Sequence, residues 1–189
     1  MVEDLGEGGL LLALISGGAS ALLADPAPPI ELADLKELTS ALSRSGADME
    51  EINAVRKHLS ILKGGGLVRL AAPARTLALL LSDVVGDEFS SIASGLSAPD
   101  QTTLEDVSEV MERYSLEPPQ SVRERLKDAP ETPKPGDPVF EGVTNTLVGG
   151  GRVSAETAAH KARELGYEPS SSPPTSPATP AASPSCMRP

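Results

Sequence analysis

The sequence predicts an α/β fold layered around a mainly parallel sheet. Short unbroken apolar runs recur along it, each closing on a glycine or Ser-Asp turn. Stretches with helical spacing of apolar residues separate them. The resulting order is strand, helices, strand, helices, strand, helix, the alternation that builds parallel sheets.

The first run, Leu10–Ile15 (LLLALI), stops at Ser16-Gly17-Gly18. Its length and its glycine stop predict a strand buried on both faces. The second, Arg75–Leu81 (RTLALLL), ends at Ser82-Asp83 and reads the same way. Residues 142–148 (GVTNTLV) form a weaker third, ending at Gly149-Gly150-Gly151. Such turns are where a parallel sheet carries its ligand loops. Helices are expected at 34–45, 48–63, 103–114 and 154–165. The second has Asp48 and Glu51 in capping-box spacing, an Ile52/Val55/Leu59/Leu62 stripe, and Gly64 as its stop. Four prolines make 128–138 a surface loop.

The unit expected to fold is 1–169. The remainder, 170–189, holds six prolines, six serines and no large apolar residue but Met187, too little to offset chain entropy. It reads as a disordered tail, either a natural one or one translated out of frame after Glu168. Across the 189 residues, 39 % are hydrophobic and tryptophan is absent, so the core must be aliphatic.

The formal net charge is −11, the wrong sign for nucleic-acid binding. An anionic ligand must be held by a local cluster of cations and backbone N–H groups. The single cysteine, Cys186, excludes an intrachain disulfide. No run approaches the ~20 apolar residues of a membrane span. The first apolar run follows Glu3, Asp4 and Glu7, unlike a signal peptide. A cytoplasmic location is the expectation.

Three stretches could carry chemistry. Ser16, Gly17, Gly18, Ala19 and Ser20 place small residues and hydroxyls after the first strand, so an anion could approach the backbone. The same five residues also suit an ordinary tight turn. They form neither a Walker A sequence nor GxGxxG. In the second stretch Asn53, Arg56, Lys57 and Lys63 lead into Gly64, Gly65 and Gly66. Three cations in eight residues are a local exception in so acidic a chain. Alternatively they are a solvated face at a helix C-terminus, and the glycines mark close packing. His58 reads as a packed or surface residue rather than a metal ligand. In the third stretch Asp83 and Asp87 follow the second strand, where carboxylates can hold Mg²⁺ beside phosphate oxygens, or serve as a turn cap and a surface acid.

LISGGASALL (14–23), EINAVRKHLSILKGGGL (51–67) and LALLLSDVVGDEFSSIASG (77–95), in this order, resemble the N-terminal domain of the glycerate 2-kinases. These are the kinases with an associated MOFRL domain, often labelled hydroxypyruvate reductases. The resemblance runs from about Gly6 to Tyr167. It implies a Rossmann-like first domain and cytoplasmic, ATP- and Mg²⁺-dependent phosphorylation of D-glycerate to 2-phosphoglycerate. It implies phosphate or substrate contacts at Ser16–Ser20, Asn53, Arg56, Lys57, Gly64 and Gly65, metal contacts at Asp83 and Asp87, and Lys63 as the catalytic candidate.

The family's upstream glycine–lysine segment and its second domain have no counterpart in the 189 residues, so the domain is expected to be truncated at both ends. The missing domain would complete the cleft. Two loops depart from the family pattern. Leu96-Ser97-Ala98-Pro99-Asp100 stands where the family reads PTxPD, and Gly149-Gly150-Gly151 stands at its Gly-Ser-Asn turn. Two readings compete with a glycerate kinase. One is a nicotinamide-dependent hydroxypyruvate reductase, which the lack of GxGxxG disfavours. The other is a non-catalytic fragment of a broken kinase gene.

Overall fold

The structure, a computed structural model, describes residues 2–170. Apart from Ser170, the tail expectation lies outside them. The strands are β1 (Leu10–Ile15), β2 (Arg75–Leu81) and β3 (Val143–Gly149). They form one sheet, all parallel, in the order β1-β2-β3. The α/β expectation with a parallel sheet is borne out, and the glycine and Ser-Asp stops set the ends of β1 and β2.

The helices are α1 (Ala19–Leu22), α2 (Leu32–Arg44), α3 (Met49–His58), α4 (Gly66–Ala71), α5 (Leu104–Arg113), α6 (Gln120–Asp128) and α7 (Gly151–Glu164). The capping box of α3 forms as its spacing requires. The Asp48 carboxylate accepts the Glu50 and Glu51 N–H groups, and Glu51 accepts the Asp48 N–H at 3.0 Å. Thr103 and Asp106 cap α5 in the same way.

Two expectations need correction. The helix expected at 48–63 ends at His58. Two side chains end it. The Ser60 hydroxyl accepts the Leu62 and Lys63 N–H groups, and the Asp25 carboxylate also accepts the Leu62 N–H, at 2.6 Å. These bonds close a turn over 60–63 in place of another helical turn.

The second correction concerns the sheet. Its inner face carries buried Ala13, Ile15, Thr76, Ala78 and Leu80. Its outer face is open: Leu10, Leu12, Leu14, Leu81 and Val148 are exposed, Leu14 at 73 %. Side chains alternate along a strand, so one covering layer shields only every second residue.

The core has two parts. Ile15, Ala78, Leu80, Ile92 and Leu96 pack on the inner face of the sheet, with Leu62, Leu67 and Leu147 at the margin. A helical cluster of Leu38, Leu42, Ile52, Val55, Leu59, Val107, Val110 and Val122 lies among α2, α3, α5 and α6. Leu59 and Leu62, one stripe in the sequence, thus serve different clusters. Among the described residues no helix is long and apolar enough to cross a membrane.

Candidate functional site

All three strands point their C-terminal ends the same way, and three loops meet there. Gly18 takes φ 79°, which turns the chain from β1 into α1. After β2 the loop contains three non-glycine residues in the left-handed region: Asp87, Ala93 and Ser94. Such positions persist only where the surroundings over-determine them. Here the restraint is visible. Ser94 is buried, its hydroxyl lies 2.7 Å from the Ser20 hydroxyl, and it donates to Asn53 Oδ1 at 3.3 Å. The Gly64 N–H donates to Ser94 O at 3.0 Å and the Gly65 N–H to Gly95 O at 2.7 Å. Arg56 adds a bond from Nη2 to Ser20 O at 2.8 Å. The three stretches singled out in the sequence are therefore one hydrogen-bonded cluster.

The glycine run is explained by close packing. A Cβ on Gly65 would lie 2.8 Å from Phe140 Cζ, and one on Gly66 would lie 2.0 Å from Ile61 O. Gly64 and Gly65 are buried backbone that fixes the 92–95 loop.

The carboxylates sit against two glycine turns. A Cβ on Gly17 would lie 2.2 Å from Asp83 Oδ2, and one on Gly150 would lie 2.8 Å from Asp87 Oδ1. Asp83 therefore overlies the turn after β1, and Asp87 the turn after β3. Among the described residues no group of three or more His, Cys, Asp or Glu side chains could hold a metal ion. The two carboxylates thus lie over the turns of β1 and β3, strands that β2 separates, and Mg²⁺ can bind through a single carboxylate with water and phosphate as its other oxygens.

Ser20, Arg56 and Lys63 line a cavity of about 580 Å³ together with Leu23, Lys36 and Thr39. A smaller one, about 230 Å³ between α3 and α5, is lined by Glu50, Glu51, Asp106, Glu109 and Arg113, four carboxylates to one cation that is itself paired with Glu51. In the larger cavity Arg56 is half-buried. Burial pushes its guanidinium below the ordinary value, and the Asp25 charge opposes that shift. Lys63 Nζ donates to Leu23 O at 2.5 Å and to Asp25 Oδ1 at 2.6 Å.

Lys57 does not line this cavity. It is buried on another face of α3, where Nζ meets Asp100 Oδ1 at 3.0 Å. Asp100 is fully buried and also accepts from the Thr102 N–H, the Thr102 hydroxyl and the Thr132 hydroxyl. Burial alone would raise the Asp100 carboxyl. The Lys57 charge and the Thr102 bonds outweigh it and hold that carboxyl below the usual range. His58 is buried with Nδ1 2.8 Å from Ala54 O. Asp25, Ser94 and Lys36 were not among the residues singled out. Ser94 lay inside a recognised stretch, whereas nothing in the local pattern marks Asp25.

The family described as a domain of unknown function, DUF4147, matches residues 1–127. A glycerate kinase of Danio rerio is 41 % identical over 176 residues, covering 89 % of this chain and 35 % of that protein. The D-glycerate 2-kinase of Thermotoga maritima is 41 % identical over 167 residues, 88 % of this chain and 39 % of that protein. An Agrobacterium vitis relative whose name carries the hydroxypyruvate reductase label is 44 % identical over 168 residues, 89 % of this chain and 38 % of that protein. The crystal structure of the Thermotoga maritima glycerate kinase superposes with a TM-score of 0.78 at 42 % identity, over 87 % of this chain and 38 % of that one. The chain thus spans little more than a third of the length of these relatives.

Proposed function

The chain belongs to the DUF4147 family, and from that premise we propose that it forms one wall of a glycerate 2-kinase active site. The reaction is ATP-dependent phosphorylation of D-glycerate to 2-phosphoglycerate. The 2-hydroxyl oxygen attacks the γ-phosphorus, ADP leaves with the former bridging oxygen, and the hydroxyl proton is released. Such transfer rests on positioning and charge neutralisation. The observation that carries the reading is the convergence of Ser20, Asn53, Arg56 and Ser94 in one network at the C-terminal edge of the sheet, beside a cationic cavity.

In this reading Arg56 offers its fork to a phosphate or carboxylate, and the turn from Ser16 to Ser20 offers backbone N–H groups. Lys63 lies at the back of the cavity as a charge already paired with Asp25. Asp83 or Asp87 would hold Mg²⁺, which binds through one or two carboxylates and would supply charge neutralisation for the phosphates. Lys57 has no place at the ligand. The reductase reading is weaker, because the turn after β1 reads Ser-Gly-Gly-Ala-Ser and lacks the dinucleotide fingerprint.

The test has two arms. The chain alone should form no 2-phosphoglycerate from ATP and D-glycerate, because in-line transfer needs both reactants aligned and an error of ~1 Å costs ~10²-fold. It should still bind MgATP or D-glycerate in calorimetry, and Arg56→Met should weaken that binding at least ~10-fold. Failure to bind either ligand, or binding indifferent to Arg56→Met, would overturn the reading.

A further inference from the structure

Asp25 lies just before Pro26 in the loop after α1, and no chemistry has been assigned to it. Its carboxylate is a hub. Oδ1 accepts from Lys63 Nζ at 2.6 Å. Oδ2 accepts the Leu62 N–H at 2.6 Å and the Ser60 hydroxyl. The backbone adds to this: Ile61 N–H donates to Asp25 O at 3.0 Å, Ala27 N–H donates to Leu59 O at 2.9 Å, and Pro26 bridges to Ser60. The loop over 23–27 is thereby zipped to the turn over 60–63, and together they form the back of the cationic cavity.

The charges give the hub a second consequence. The side chain of Lys63 is only 3 % exposed and that of Asp25 11 %, so solvent screens the pair poorly. Asp25 also acts electrostatically on Arg56, the other buried-side cation of the cavity. A carboxylate among these cations does what a phosphate or carboxylate ligand would do: it accepts from the ammonium and neutralises the local field.

We propose that Asp25 is a positioning residue and resident counter-ion of the cavity, holding Lys63 in place while competing with anionic ligands for its charge. An incoming phosphate group must bind against the Asp25 charge or draw the Lys63 ammonium away from it. The proposal rests on the reading of this cavity as an anion site and adds what limits its affinity.

The experiment titrates inorganic pyrophosphate and inorganic phosphate into the full chain, Asp25→Asn, Lys63→Met and the double variant, by calorimetry. Asp25→Asn keeps the shape and removes the charge. It should bind pyrophosphate about tenfold more tightly, the factor that ~1.4 kcal/mol of relieved repulsion gives. The gain should be smaller for phosphate, which carries less charge, and should vanish in the double variant. A purely structural role predicts unchanged or weaker binding, and that result overturns the proposal while leaving the anion site standing. If neither wild type nor any variant binds pyrophosphate, both readings fall. Should Asp25→Asn not fold, the Lys63 ammonium of the wild-type chain is followed by ¹H–¹⁵N NMR during the titration. A shift of its signal on binding supports competition, and binding that leaves it unmoved overturns it.

Discussion

Asp100→Asn tests how the structure deals with the charge of Lys57. Asp100 is completely buried, and its four accepted hydrogen bonds come from Lys57 Nζ at 3.0 Å, Thr102 N at 3.1 Å, Thr102 Oγ1 at 2.8 Å and Thr132 Oγ1 at 2.9 Å. Asparagine keeps one acceptor oxygen and the volume. It removes the charge facing an ammonium that is itself only 9 % exposed. Breaking a buried pair from one side costs about 3–5 kcal/mol, because the remaining charge is left uncompensated. Whole domains are stable by only ~5–15 kcal/mol, so the loss is a large fraction. Removing both charges is different: Lys57→Met with Asp100→Asn should cost less than Asp100→Asn alone. The assay is urea unfolding followed by far-UV circular dichroism, since the chain has no tryptophan. A loss below about 1 kcal/mol for Asp100→Asn, or a double variant less stable than the single one, would refute the reasoning.

Gly66→Ala should destabilise by about 3 kcal/mol, because the new Cβ meets the backbone at Ile61 O rather than a mobile side chain; urea midpoints check this, and a shift equivalent to less than 1 kcal/mol contradicts it. Stability should fall in acid. Asp34, Glu51, Asp100 and Glu131 all have carboxyls held below their ordinary values, so the stability they add is full above the unfolded values of 3.8 and 4.5 and is lost as pH falls through the lower folded ones. Dichroism-monitored unfolding between pH 6 and pH 2.5 should show this, and a flat profile would count against it. Leu12→Lys with Leu14→Lys should leave the urea midpoint within about 0.5 kcal/mol per site, since both side chains are more than half exposed. A large destabilisation would show that the outer sheet face is packed.

The ends of β1 and β2 were legible because Ser-Gly-Gly and Ser-Asp are turn chemistry directly after runs too short for a helix. The exposure of their outer face was not, since a run of leucines looks the same whether or not a second layer lies against it. The overrun of α3 has a non-local cause. Leu62 continues the Ile52, Val55 and Leu59 spacing, and the carboxylate that helps end the helix comes from Asp25. The site was legible as three stretches but not as individual contacts. Arg56 and Lys57 are neighbours in the sequence, yet successive helical residues point about 100° apart. One reaches the cavity and Ser20, and the other is drawn to Asp100. No spacing rule says which. The glycine run offered two readings, ligand approach or packing, and the closeness of Phe140 to Gly65 and of Ile61 O to Gly66 supports packing.

These placements bear on how so acidic a chain could select an anion. At a net charge of −11 the long-range field repels phosphate, so recognition must come from groups at contact distance. Two of the three clustered cations are already satisfied by carboxylates, Lys57 by Asp100 and Lys63 by Asp25. Arg56 differs. Its bond at this edge goes to a neutral carbonyl, Ser20 O, and uses one of the five N–H donors of the guanidinium. That bond fixes the plane of the fork against the loop after β1 while other donors remain for a ligand. A lysine there would carry the charge without the planar pair of donors, so Arg56→Lys should retain only part of the affinity that Arg56→Met removes. Equal loss in the two variants would mean that geometry, and not charge, dominates at this position.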